Sequence, residues 1–153
     1  MKPNLKDYII KQSSFLENDF CDETIIKLQE IEKSEWLKHA YYNNQTGELV
    51  SNGDQELDII YANHLDNTRV IIEKMWYSIA NYIDSFKYPW FTAWRGFSPI
   101  RYNRYTLNQK MNYHCDHIHS LFDGDRKGIP ILSCLGLLND DYEGGEFLIL
   151  DDL

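Results

Sequence analysis

His114-Cys115-Asp116-His117-Ile118-His119 places three of the chain's five histidines within six residues. The residues on both sides are β-forming, and reading Met111 to Ile118 as a strand decides the fold class. Side chains alternate faces along a strand. His114 and Asp116 then share one face, and Cys115, His117 and His119 share the other. An imidazole and a carboxylate two residues apart can reach a single metal ion. Two legs of a 2-His-1-carboxylate facial triad are built this way, leaving coordination positions open for substrate and oxygen. The plainer reading of the same six residues is a polar strand with surface histidines.

Downstream, Ser120 to Gly128 is a polar, glycine-containing loop, and Ile129 to Leu138 and Glu146 to Leu150 read as further strands. Upstream, Phe91 to Tyr105 is rich in aromatic and β-forming residues. Before that the chain is largely helical. The strongest periodicity predicts a helix from Asp66 to Phe86, with Ile72, Met75, Trp76, Ile79, Tyr82, Ile83 and Phe86 as its apolar stripe. Asp66 or Asn67 would cap its start, and Pro89 lies just past its end. Asp22 is a candidate N-cap for a helix from Glu23 to about Lys33. Tyr8 to Phe15, Trp36 to Tyr42 and Glu56 to Tyr61 read as extended. Turn clusters stand at 43–47 and 51–54. Helices first and consecutive strands after them indicate an α+β domain.

Composition sets the class of protein. At 153 residues the chain has the length of one domain, with 43% hydrophobic and 25% charged residues. Fifteen basic against 24 acidic residues give a net charge of −9, which disfavours nucleic acid and anionic membrane as partners. There is no apolar run of membrane-spanning length and no signal-peptide pattern, so a soluble cytoplasmic protein is expected. The three cysteines form no CxxC pair, which argues against a disulfide framework or a structural zinc site. Eleven Tyr, seven Phe and four Trp argue against disorder.

A longer pattern surrounds the histidines. It runs Arg104-Tyr105-Thr106-Leu107-Asn108-Gln109-Lys110-Met111-Asn112-Tyr113-His114-Cys115-Asp116. After the loop it resumes as Ser133-Cys134-Leu135-Gly136-Leu137-Leu138-Asn139-Asp140-Asp141-Tyr142-Glu143-Gly144-Gly145-Glu146. This resembles the prolyl 4-hydroxylase-like branch of the Fe(II)/2-oxoglutarate-dependent dioxygenases, over about residues 98–150. That family has a Tyr nine residues before the metal His, HxD, a loop, and a Leu-Asn-x-x-Tyr-x-Gly-Gly-Glu turn.

By this resemblance His114 and Asp116 are the first two iron ligands. Tyr105 meets 2-oxoglutarate, and Ser133 supplies a hydroxyl near its distal carboxylate. Gly144 and Gly145 form a turn needing φ > 0. Asn108 stands where the family often has Gly, and Asn is the next-best residue for a left-handed turn. Met111 stands where the family often has Tyr. The implied cofactors are Fe(II) and 2-oxoglutarate, with ascorbate as an accessory reductant. The implied activity is hydroxylation of a C–H bond in a peptide or protein substrate.

The implied fold is the N-terminal part of a double-stranded β-helix (jelly roll) backed by helices. Residues 1–153 would be a single incomplete domain, with supporting elements over 1–95 and the first half of the barrel over 96–153. The family's second metal His and the basic residue that pairs with the 2-oxoglutarate carboxylate have no match in the chain. The expectation is a C-terminally truncated relative, inactive alone. It would self-associate as a homo-oligomer, be completed by a second chain in a split hydroxylase, or serve as a non-catalytic interaction protein. His39 and His64 read as surface or core residues rather than substitute ligands.

Overall fold

The computed structural model describes residues 4–43, 46–94, 96–114, 116 and 131–149. It combines helices with a small, open, three-stranded antiparallel sheet and a two-stranded hairpin. The chain divides into two compact units. The first comprises Met1–Glu30, Leu65–Ser98 and Leu137–Leu153, and the second Ile31–His64 and Pro99–Gly136. No described helix is long and apolar enough to cross a membrane.

The first unit contains both α-helices found among the described residues, α1 (Asn18–Glu30) and α2 (Asp66–Phe86). α2 has the bounds its periodicity predicts, and the seven residues of its predicted stripe are all half-buried. Its N-cap is Leu65, which makes no side-chain capping bond. The expected capper Asn67 has a different role. Its Nδ2 donates to Thr24 Oγ1 at 2.8 Å, and its Oδ1 accepts from Lys27 Nζ at 2.7 Å, tying α2 to α1. Thr24 also donates to the Phe20 carbonyl at 2.7 Å, so this buried hydroxyl is satisfied on both sides. α1 begins four residues before the predicted cap Asp22, which therefore lies inside the helix.

Along one face of α2, Lys74, Ser78 and Tyr82 follow the four-residue repeat. They bond Phe15 O, Gln12 Oε1 and Tyr8 O at 3.3, 2.9 and 2.9 Å. The N-terminal segment is held there as irregular chain after a capped 3-10 turn, Leu5–Tyr8, where the sequence predicts a strand. Lys87 closes α2 in the left-handed conformation (φ 48°), its N–H donating to Ile83 O. Beyond it, Tyr88, Trp90, Phe91, Trp94 and Phe97 continue an aromatic series with Trp76 and Phe86 of the helix. Successive ring centroids in it are 4.9–6.3 Å apart.

The second unit holds the sheet. β1 (Leu37–Lys38), β4 (Asp58–Ile60) and β5 (Tyr102–Arg104) pair in the order β1-β4-β5. Lys38 lies opposite Asp58, and Asp58 opposite Arg104. β2 (Tyr41–Tyr42) and β3 (Leu49–Val50) form the hairpin across the first predicted turn cluster. Gly47 there has φ 69°, and its N–H donates to Asn43 O at 2.7 Å. Leu57, Ile59, Ile60, Ala62 and Tyr102 are the unit's buried apolar residues.

The expected barrel strands differ. Residues 111–114 and 116, 131–138 and 146–149 have no regular secondary structure. The rest of those segments, with Cys115, His117, His119 and the loop Ser120 to Gly128, lies outside the described residues. Of the aromatic-rich stretch from Phe91 to Tyr105, Tyr102–Arg104 is strand, and it is the part that finds a ladder partner. β-propensity reflects packing on a paired, half-buried surface. Among the described residues, 131–149 pair with no strand, and Leu135, Leu137, Phe147 and Leu148 stay exposed.

Candidate metal centre

The second unit carries the residues singled out by the sequence. β5 is fixed to β4 by main-chain pairing and by Arg104, whose Nε and Nη2 donate to Asp58 Oδ2 at 3.3 and 3.1 Å. Lys38 Nζ lies 2.9 Å from Asp58 Oδ1. Burial by itself would raise the Asp58 pKa, but the bonds and charges of Lys38 and Arg104 outweigh it and hold the carboxyl below its ordinary value. Arg104 also stacks over Trp36, 4.0 Å from the ring centroid.

Tyr105 leaves the end of β5 as an exposed side chain. Partial desolvation raises its phenol pKa, with Arg101 opposing and Glu56 reinforcing the shift. The turn from Thr106 to Gln109 follows. Asn108 adopts φ 65° there, the left-handed conformation expected of it.

His114 and Asp116 come together, although the segment is not the strand from which the sequence placed them on one face. His114 Nε2 lies 3.4 Å from Asp116 Oδ1. His114 Nδ1 is 2.8 Å from the Asn112 carbonyl oxygen. That oxygen only accepts, so Nδ1 carries the hydrogen. In the neutral ring Nε2 then presents a lone pair to the carboxylate. Ser133 Oγ donates to Asp116 Oδ2, so Oδ1 is the oxygen turned to the imidazole. Two lone pairs facing at this distance are stabilised by a cation between them, whether a proton on the ring or a metal ion.

Ring N–H to carbonyl and carboxylate to hydroxyl are the outer contacts that orient metal ligands. The pair fits two of the three protein donors of a facial triad. Among the described residues no group of three His, Cys, Asp or Glu side chains converges to complete it.

Ser133 bonds Asp116, placing its hydroxyl beside that carboxylate. His39 pairs with Glu56 at 3.1 Å, a satisfied interior pair, and His64 is exposed. Two bonds nearby were not legible in the sequence. Asn112 holds the imidazole through its main-chain carbonyl, so its side-chain identity carries no signal. The Gln109 side chain donates to the carbonyl of Asp54, 55 residues away. Gly144 and Gly145, in the other unit, have φ 77° and 69°, as their turn requires. No family model, curated protein or solved structure matches the chain.

Proposed function

We propose that this chain carries part of the core of an Fe(II)/2-oxoglutarate-dependent dioxygenase of the prolyl 4-hydroxylase-like kind. The observation that carries the reading is the His114–Asp116 pair with its two outer contacts, Asn112 O and Ser133 Oγ. His114 Nε2 and Asp116 Oδ1 would hold the iron. Bound there with 2-oxoglutarate and O2, it would supply oxidative decarboxylation to succinate and CO2, coupled to hydroxylation of a peptide or protein C–H bond.

The chain's own residues prepare that site. The Asn112 carbonyl fixes the imidazole tautomer, and Ser133 fixes the carboxylate rotamer. Tyr105 is a protonated phenol at neutral pH, as any tyrosine is, so its O–H can donate to a 2-oxoglutarate carboxylate. The 153 residues have no match for the family's second His or its basic residue, so binding by this chain alone is expected to be weak and turnover absent.

The test uses Co(II) as an oxygen-stable surrogate, followed by its broadening of imidazole NMR signals. His114→Ala and Asp116→Ala should each abolish the site-specific broadening. Broadening unchanged in both variants defeats the metal reading. Succinate release by the purified chain with Fe(II) and 2-oxoglutarate defeats the claim of inactivity alone.

A second reading has its own observation. The segment 131–149 exposes Leu135, Leu137, Phe147 and Leu148, which favours self-association or capture of a completing chain. Light scattering should then give a mass above the 18.2 kDa monomer, and Leu137→Asp should lower it.

A further inference from the structure

We propose that Gln109 is a positioning residue: it braces the turn between Tyr105 and His114 against the turn at residues 53–55, and so sets the approach of His114 to Asp116. The inference rests on the reading of His114 and Asp116 as metal donors.

Gln109 grips the turn twice. Its main-chain N–H donates to Thr106 O at 3.0 Å, and its side-chain Oε1 accepts from Thr106 N at 2.8 Å. The same amide then reaches outward, Nε2 donating to Asp54 O at 3.3 Å. One side chain thus closes its own turn and fastens it to another. Lys110 N lies 3.5 Å from Gln55 O and runs beside that link.

The support is itself anchored. Glu56, directly after the Gly53–Gln55 turn, is buried. Its N–H donates to Gly53 O at 3.1 Å. Its two carboxylate oxygens take Asn52 Nδ2 at 2.7 Å and His39 Nδ1 at 3.1 Å. Its carbonyl accepts from Lys38 Nζ at 3.1 Å. The carbonyls of Asp54 and Gln55 are therefore presented from a fixed base.

On the other side, β5 ends at Arg104 under the hold of Asp58. From there to His114 the chain has no strand or helix, and His114 is bonded locally to Asn112. Gln109 is the side chain that ties this irregular stretch to distant backbone. Without it, the stretch between a fixed strand and a metal donor gains freedom that binding must remove.

The test measures two things on the full chain with Gln109→Ala and Gln109→Glu. The first is Co(II) affinity, read well below the melting temperature. There a purely structural loss leaves the folded population, and hence the affinity, unchanged. The second is amide exchange without metal, at Thr106 for the turn itself and at Lys110 for its link to the turn at residues 53–55.

Gln109→Ala should weaken Co(II) binding about tenfold, the lower end for loss of a supporting contact. It should speed Thr106 exchange by a similar factor of about ten, while the amides of β4 and β5 keep theirs. Gln109→Glu keeps the acceptor for Thr106 and loses the donor to Asp54. It should restore the Thr106 protection and only part of the affinity.

Co(II) affinity within about twofold of wild type in Gln109→Ala overturns the proposal. If the wild-type chain binds no Co(II), the reading of His114 and Asp116 falls. Exchange of the Lys110 amide, which faces Gln55 O, then decides the brace alone: faster exchange in both Gln109→Ala and Gln109→Glu sustains it, and unchanged exchange overturns it.

Discussion

Replacing Asp58 by Asn tests how the sheet that carries Tyr105 is held. Asp58 is central in register, between Lys38 of β1 and Arg104 of β5. It is well buried, with 17% of its side chain exposed, whereas Lys38 and Arg104 are 38% and 37% exposed. Solvent therefore weakens both pairs. Each is worth about 0.5–1 kcal/mol, above the weakest surface bridges and below a shielded charge-assisted bond.

The Asp58→Asn side chain keeps one acceptor and turns an amide toward a cation, so the loss should total about 1–2 kcal/mol. At this chain length that lowers the melting temperature by about 2–8 °C. The pH dependence carries a sign. The folded pKa of Asp58 is depressed, so its stabilisation is present above the unfolded value of about 3.9 and fades as pH falls through the folded value. The gap between wild type and Asp58→Asn should be full at neutral pH and close at strongly acid pH. Calorimetry from about pH 7 down to about pH 2 measures it. Equal melting at neutral pH, or a gap undiminished in acid, refutes the reasoning.

Three further outcomes are expected. Asn67→Ala should destabilise the first unit by about 0.5–1.5 kcal/mol by removing the donor to the buried Thr24 hydroxyl, which keeps its own bond to Phe20 O, read by urea denaturation with helix ellipticity. Spectrophotometric titration should find Tyr105 ionising above the ordinary phenol range, and Arg101→Ala should move it higher still, since the Arg101 charge opposes the shift. The raised value means that any stability tied to the protonated phenol is kept at neutral pH and lost only as alkali takes pH through the folded pKa. Gly145→Ala should cost about 1–2 kcal/mol in a melt: φ is 69° there, and a Cβ would stand an ordinary 3.5 Å from Tyr142 Cε2, so the penalty is backbone strain rather than crowding.

What could be read from the sequence was what neighbours within a few residues decide. α2 has its predicted bounds because seven apolar residues from Ile72 to Phe86 keep helical phase through most of its 21 residues, a signal one polar substitution would not erase. Asn108 and the paired glycines adopt positive φ because backbone sterics are local. His114 and Asp116 meet in irregular chain, so the strand alternation that put them on one face in the sequence reading is not what brings them together. The predicted strands over 131–149 depended on a distant partner to make a ladder, and no propensity contains that partner. Asp22 looked like a cap because helix starts are weakly marked, and α1 starts earlier, at Asn18. Ser133 entered through the resemblance alone, as a hydroxyl near the distal carboxylate of 2-oxoglutarate, and its bond to Asp116 joins residues 17 apart.

The division into two units changes how the molecule must be handled and how it is made. The chain passes from one unit to the other after Glu30, His64, Ser98 and Gly136. The first unit therefore draws on three separated stretches and the second on two. No single cut releases either one whole, and neither corresponds to a contiguous gene fragment. A ribosome delivers the residues of both in alternation, so the first unit lacks its last stretch until the rest has emerged. Assembly is thus a late, non-local event, slow by the logic of contact order. Nested deletions of this protein should lose structure in blocks rather than one unit at a time.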